Sequence, residues 1–270
     1  MTVNVPLRPL VLAIAFTLPL AGCWEKSPES RIESAKQALQ KSDAKTAVVE
    51  LKSLLQKMPG NAEARMLLGQ TFQDLGQWDN SEKELRKAME LGVPVERLLP
   101  LLAKTLVKLG KHKEVAELVI PKAGLSSQAL ASVQAEKANA LIAQNKSAEA
   151  AAMISEGEQS LAAVGGGALS NDLQLAKARL AVLNKQSPQA LSLLGGILQR
   201  DAKFVDALFL KGQILQTEGK NNEALQTYQQ IVSAKPGDFL ANLSIAELKL
   251  QVNDLAAAEQ AFRKASTQDP

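Results

Sequence analysis

The sequence is poor in the residues that most site chemistry needs. Among 270 residues there is one cysteine and one histidine. A lone cysteine, Cys23, excludes an internal disulfide and a cysteine-ligated zinc or iron–sulfur cluster within one chain. With His112 alone, a multi-histidine metal site is excluded too, and a Ser–His–Asp triad would have to be built on that residue. His112 stands between Lys111 and Lys113 and reads as a solvated turn residue. There is no GxxxxGK[ST] or GxGxxG phosphate loop and no HExxH, so neither cofactor nor metal is expected. Charge of one sign is missing as well: 31 basic and 28 acidic residues leave a net charge of +3, with no basic or acidic block. That balance speaks against a nucleic-acid partner. Every Asp and Glu has a simple reading as a solvated helix face, and no plausible catalytic set remains, so the chain reads as a non-enzyme. Aromatic residues make up only 3%, which points to Ala- and Leu-rich helices packed closely on one another.

What is present begins with an export signal. Arg8 precedes the apolar run Leu10 to Leu18, too short to span a bilayer comfortably and fitting a signal-peptide core. Leu20-Ala21-Gly22-Cys23 follows and resembles the lipobox of bacterial lipoproteins. The resemblance implies cleavage after residue 22, acylation of Cys23 and a lipid anchor, with each buried methylene contributing roughly 0.8 kcal/mol to membrane attachment. Trp24, rather than Asp, follows the cysteine. By resemblance to enterobacterial sorting this implies the outer membrane, with the chain facing the periplasm. Residues 23–30 are expected to form a polar tether.

The rest of the chain repeats itself. Gly212, Ala224, Tyr228 and Pro236 recur one period of 34 residues later as Ala246, Ala258, Phe262 and Pro270, and earlier as Ala178, Ala190, Leu194 and Ala202. Gly69, Gly76, Leu85 and Ala88, and Ala35, Ala47, Leu51 and Pro59, carry the same pattern. This resembles the tetratricopeptide repeat, a 34-residue helix–turn–helix unit. The register places repeat starts near residues 28, 62, 96, 131, 171, 205 and 239. The implied fold is an all-α, right-handed superhelical solenoid of about seven repeats: 31–164 for repeats one to four, a Gly-rich loop at 165–170, and 171–270 for repeats five to seven.

Each residue type has a physical reason. Small residues at positions 8 and 20 let the two helices of a unit approach. Position 24 fills the gap to the next repeat with Leu51, Leu85, Val119, Ile154, Leu194, Tyr228 and Phe262. Gly76, Gly110 and Gly219 are expected to end first helices in the left-handed conformation; Pro59, Pro236 and Pro270 are expected to stop second helices. Repeats two and three depart from the pattern with Ser81, Val115 and Lys122. No polar capping helix follows the seventh repeat, so its apolar end is expected to be covered by more of the array or by another chain.

In this family ligands lie along the first helices. Position 5 carries Ile32, Met66, Pro100, Ala135, Leu175, Phe209 and Leu243; position 9 carries Lys36, Gln70, Lys104, Asn139, Arg179, Gln213 and Glu247. The lysine–asparagine pairing that grips chaperone C-termini is absent. The expected groove therefore sets an apolar column, Ile32, Met66, Leu175, Phe209 and Leu243, beside amides and cations, Lys36, Gln70, Lys104, Asn139, Arg179 and Gln213. An extended peptide or an anionic polysaccharide would suit it. Lipobox and Ala/Leu/Gln-rich repeats together resemble the tetratricopeptide lipoprotein of the PEP-CTERM/exosortase system. That resemblance implies a membrane-anchored scaffold for protein partners in envelope export or exopolysaccharide assembly. The alternatives are a polysaccharide-binding protein and an activator of a peptidoglycan enzyme.

Overall fold

The computed structural model describes residues 26–41, 43–121, 124–163 and 170–266, which form fourteen α-helices and no strand. The helices come in antiparallel pairs: α1 (Pro28–Gln40) with α2 (Ala44–Lys57), α3 (Ala62–Asp74) with α4 (Trp78–Glu90), and α5 (Val95–Lys108) with α6 (His112–Glu117). Next come α7 (Ser127–Ala143) with α8 (Ser147–Ala162) and α9 (Asn171–Leu183) with α10 (Ser187–Arg200). The last two pairs are α11 (Val205–Thr217) with α12 (Asn221–Ala234) and α13 (Phe239–Gln251) with α14 (Leu255–Ser266). Each pair packs on the next, so the apolar core is a string of clusters along the chain rather than one centre. The export segment, Cys23, Trp24, Gly165 to Gly167 and Pro270 lie outside the described residues.

Local chemistry sets the helix ends. Ser27 caps α1 by accepting from the Ser30 amide at 3.2 Å, with Pro28 at the first helical position. The helix therefore starts inside the stretch expected to be tether. Asn61 and Asp238 cap α3 and α13 at 2.9 and 3.0 Å. Pro59 and Pro236 stand just past the ends of α2 and α12. Gly76, Gly110 and Gly219 adopt φ of 72°, 71° and 75°, and the amide that follows bonds back into the helix, Gln77 N to Phe72 O at 2.8 Å. Three first helices end in the same way without glycine, at Asn145, Lys185 and Asn253, with φ near 60°. A lysine held there is strained. Lys185→Gly is expected to stabilise the fold by about 0.5–1 kcal/mol, the relief of strain less the extra chain entropy of glycine; a higher urea midpoint at unchanged m-value would show it.

Packing within the pairs explains the small residues. Ala47, Ser81, Val115, Ala150, Ala190, Ala224 and Ala258 are all buried. Position 8 meets position 24: a Cβ built on Gly69 would lie 2.7 Å from Leu85 Cγ, and one on Gly212 would lie 2.5 Å from Tyr228 Cε1. Ser81, where alanine is usual, shares a buried hydrogen bond with Thr105 Oγ1 at 3.1 Å, and Gln73 Nε2 donates to the same oxygen at 2.7 Å.

The third pair breaks the pattern. Its second helix, α6, stops after six residues, and Val119, expected to fill the gap to the fourth repeat, is 82% exposed. Pro121 cannot donate a helical hydrogen bond and biases Ile120 toward extended backbone. The Val119–Ile120 β-branched pair adds to that bias. The neighbour compensates. Helix α7 starts four residues ahead of the expected register, capped by Ser126, and packs directly on α5. At the other end Phe262 is also not enclosed.

Candidate functional site

The first helices α3, α5, α7, α9 and α11 bring charged side chains together on the inner side of the array. Lys108 on α5 reaches Asp206 on α11 at 3.1 Å, across 98 residues of sequence. Lys108 Nζ also sits 5.8 Å from the Trp78 ring centroid, within cation–π range. Lys104 is one turn back on α5. It acts electrostatically on Asp74, Glu136 and Asp206 alike. Arg179 on α9 acts on Glu136 and Asp206. The second to sixth repeats thus contribute to one charged interior.

The carboxyls there respond differently to it. Burial is the largest influence on Asp206 and pushes its pKa up, but Lys108, Arg179 and Lys104 together outweigh it and hold the pKa below the ordinary value. Glu136 ends on the other side. Burial raises its pKa, nearby Asp172 adds to the rise, and the Asn139 amide at 3.0 Å with Arg179 and Lys104 does not reverse it. Burial raises Asp74 as well, against the pull of Lys104 and Lys235. These acids are not the solvated helix faces the sequence suggested.

Asn139 is the most informative side chain. It is 8% exposed, its Nδ2 donates to Glu136 Oε2, and its Oδ1 is enclosed with no hydrogen-bond partner. A buried amide oxygen without a donor costs free energy on the order of 1–3 kcal/mol.

The expected groove is only partly assembled. Met66 and Leu175 are buried in the contacts between repeats, Ile32 packs on the first cluster, and Phe209 lies against Tyr228 with ring centroids 5.7 Å apart. Leu243 is half-buried. Met66 and Leu175 are therefore core rather than groove lining, because position 5 there faces the adjoining repeat, while Ile32, Phe209 and Leu243 keep part of their surface in solvent. In the second column Gln70 and Gln213 are exposed. Lys36 is paired with Glu63 at 2.8 Å, away from the interior cluster. Lys104, Asn139 and Arg179 are brought together with the acids. Cys23 lies outside the described residues. The acids and Lys108 fall at positions 2, 6 and 13 of their repeats; the sign of the residues at positions 2 and 13 was the signal available in the sequence.

His112 opens α6 rather than a loop. It is half-buried, with Nδ1 enclosed and unbonded, and its carbonyl accepts from Gln144 at 3.2 Å. Among the described residues no cluster of His, Cys, Asp and Glu could hold a metal ion, and no helix is long and apolar enough to cross a membrane.

Family models described as tetratricopeptide repeat match residues 38–104, 175–239 and 210–270, together more than half of the chain. Among solved structures, a tetratricopeptide repeat protein from Parabacteroides merdae matches over 91% of this chain and 94% of its own, at 14% identity and a TM-score of 0.54. A monomeric IFIT1 mutant with Gppp-AAAA matches over 89% of this chain and 60% of its own, at 16% identity and a TM-score of 0.58. Likeness at these identities is a likeness of fold. A comparison with curated proteins finds no match.

Proposed function

The chain belongs to the tetratricopeptide-repeat family, and from that premise we propose that it is a scaffold holding an extended peptide of a partner protein along its charged inner face. The observation that carries the reading is the charged inner face, where Lys104, Lys108 and Arg179 of the first helices α5 and α9 act on Glu136 and Asp206. An extended backbone offers carbonyls to the cations, while acidic and basic side chains of the peptide find opposite charges nearby. The acids weigh against an anionic polysaccharide, since Glu136, Asp172 and Asp206 would repel it.

The lipobox Leu20-Ala21-Gly22-Cys23 supports a wider reading. The scaffold is acylated at Cys23, held at the outer membrane on its periplasmic side, and serves an envelope export or assembly machine. The resemblance to the PEP-CTERM/exosortase lipoproteins makes exopolysaccharide-linked sorting the leading process.

A photo-reactive residue at Gln213 or Gln70, on the full chain in envelope extracts, tests the peptide reading. Protein adducts are expected, and they should be lost when Lys104 and Arg179 are both changed to Glu, with helix content retained. Adducts to glycan alone would move the assignment to polysaccharide binding, and adducts indifferent to the double change would place the ligand elsewhere. Metabolic palmitate labelling that disappears with Cys23→Ser would support the anchor; labelling that persists would refute it.

A further inference from the structure

We propose that the outer face of α2 rests on the anionic phospholipid surface of the membrane that anchors the chain. Acylation of Cys23 is the premise, and the face adds an orientation to that anchor. Along α2 the exposed residues Lys45, Val49, Lys52 and Gln56 recur at three- and four-residue intervals, so they form one stripe down the helix. Lys41, exposed at the turn before α2, continues it. Val49 is 67% exposed in the middle of these lysines, an apolar side chain with no packing role. The other repeats differ at the same register. The fourth, fifth and sixth hold no cation at the four places of Lys41, Lys45, Val49 and Lys52. The second sets Asp79 beside Lys83 and Arg86, and Arg86 is already paired with Glu82.

The acids near the stripe are answered within the chain. Asp43 caps α2 by accepting from the Thr46 amide at 3.1 Å, with Lys45 beside it. Glu50 accepts from both Lys26 and Arg31. Those two cations with Lys41, Lys45 and Lys52 make five positive charges against two carboxylates. Lys52 also passes 5.6 Å from the Phe72 ring centroid, yet the residue stays exposed. The exposed acids of the first pair, Glu29 and Glu33, lie on α1. The field of the pair therefore has a direction, drawing α2 toward an anionic surface and α1 away from it. The anchor is within reach of the same face. Lys26 donates to Ser34 at 3.2 Å and to Glu50, the neighbour of Val49, which ties the chain beside α2 at that point. Cys23 comes three residues earlier, a span of at most about 11 Å. The acyl chains thus bring the lysines to the headgroups, where anionic lipid attracts them. Val49, between lysines whose charged ends reach outward, suits the boundary of headgroup and acyl chain.

Nitroxide labels on the full acylated chain, reconstituted in vesicles of phosphatidylcholine and phosphatidylglycerol, read the orientation. Acylation consumes the Cys23 thiol, so Val49→Cys carries a single label. Collisional relaxation by a water-soluble nickel complex should be weak at Val49→Cys and strong at Gln226→Cys, the same register in the sixth pair. Each lysine at an anionic surface favours the apposed state about fivefold. Changing Lys41, Lys45 and Lys52 together to Gln should therefore shift the balance on the order of a hundredfold and restore nickel access at position 49. All three lysines are exposed, so helix content should be retained. Vesicles of phosphatidylcholine alone, or salt near about 1 M, where the screening length falls to about 3 Å, should restore access without any change at the lysines. A label at position 49 open to nickel while the chain floats with the vesicles would overturn the orientation and leave the anchor standing. Shielding that survives the triple change would do the same. A chain that floats with neither kind of vesicle would overturn the anchor and the orientation together.

Discussion

Replacing Tyr228 by alanine is expected to destabilise the fold by about 3–5 kcal/mol, the range found when a large buried ring is removed from a core. The side chain is fully enclosed, packs on Phe209, and fills the space that Gly212 leaves on the facing helix. A companion change identifies the cause. Gly212→Ala improves helix propensity by about 1 kcal/mol, yet its new methyl would stand 2.5 Å from Tyr228 Cε1. Overpacking of about 1–3 kcal/mol should therefore win, and the variant should be less stable. Gly195→Ala meets no atom within 4 Å and should be stabilising by about 0.5–1 kcal/mol. Urea titrations of the three variants give the comparison. If Gly212→Ala proved as benign as Gly195→Ala, the close approach of the two helices would be wrong.

The second large effect is expected on shape rather than on folding. Lys108→Glu sets a carboxylate against Asp206, replacing the direct ion pair between α5 and α11 with a repulsive contact. The inner face should open, giving a larger radius of gyration in small-angle scattering at unchanged helix content. Acid should act similarly on the wild type. Asp206 has a folded-state pKa below its unfolded value, so its contribution is present above the unfolded pKa and lost as pH falls through the folded one. Glu136 has the opposite sign: its folded pKa is raised, so its burial is unfavourable at neutral pH and the penalty fades on acidification. Glu136→Gln should therefore raise the melting temperature at neutral pH and change it little in acid. An unchanged scattering profile for Lys108→Glu would show that the interior does not depend on this pair.

Periodicity made most of the fold legible. Starts read at 28, 62, 171, 205 and 239 coincide with the first residues of α1, α3, α9, α11 and α13, because a small residue every 34 positions is a direct consequence of two backbones in contact. The third repeat was misread at Val119, where a residue type suited to the core outweighed Pro121 two places later. The left-handed turns at Asn145, Lys185 and Asn253 were missed because position, not glycine, imposes the conformation there. The candidate site was less legible. Reading two columns in isolation placed Met66 and Leu175 in a groove that they do not line. It also left out Asp206 and Glu136, whose importance comes from a neighbour in another repeat. A single period does not encode which repeats meet across the superhelix.

That meeting changes how the array comes apart. A solenoid whose units touch only their neighbours loses structure from its ends, one unit after another. The Lys108–Asp206 contact joins the third pair to the sixth and closes a loop of nearly a hundred residues. Closing such a loop has an entropic cost that grows only logarithmically with length, and here the packing of each pair on the next has already met most of it. The fourth and fifth pairs thus sit between two units that also touch each other, and the Lys108–Asp206 pair, half-exposed on both sides, adds about 0–1 kcal/mol of coupling to the neighbour contacts.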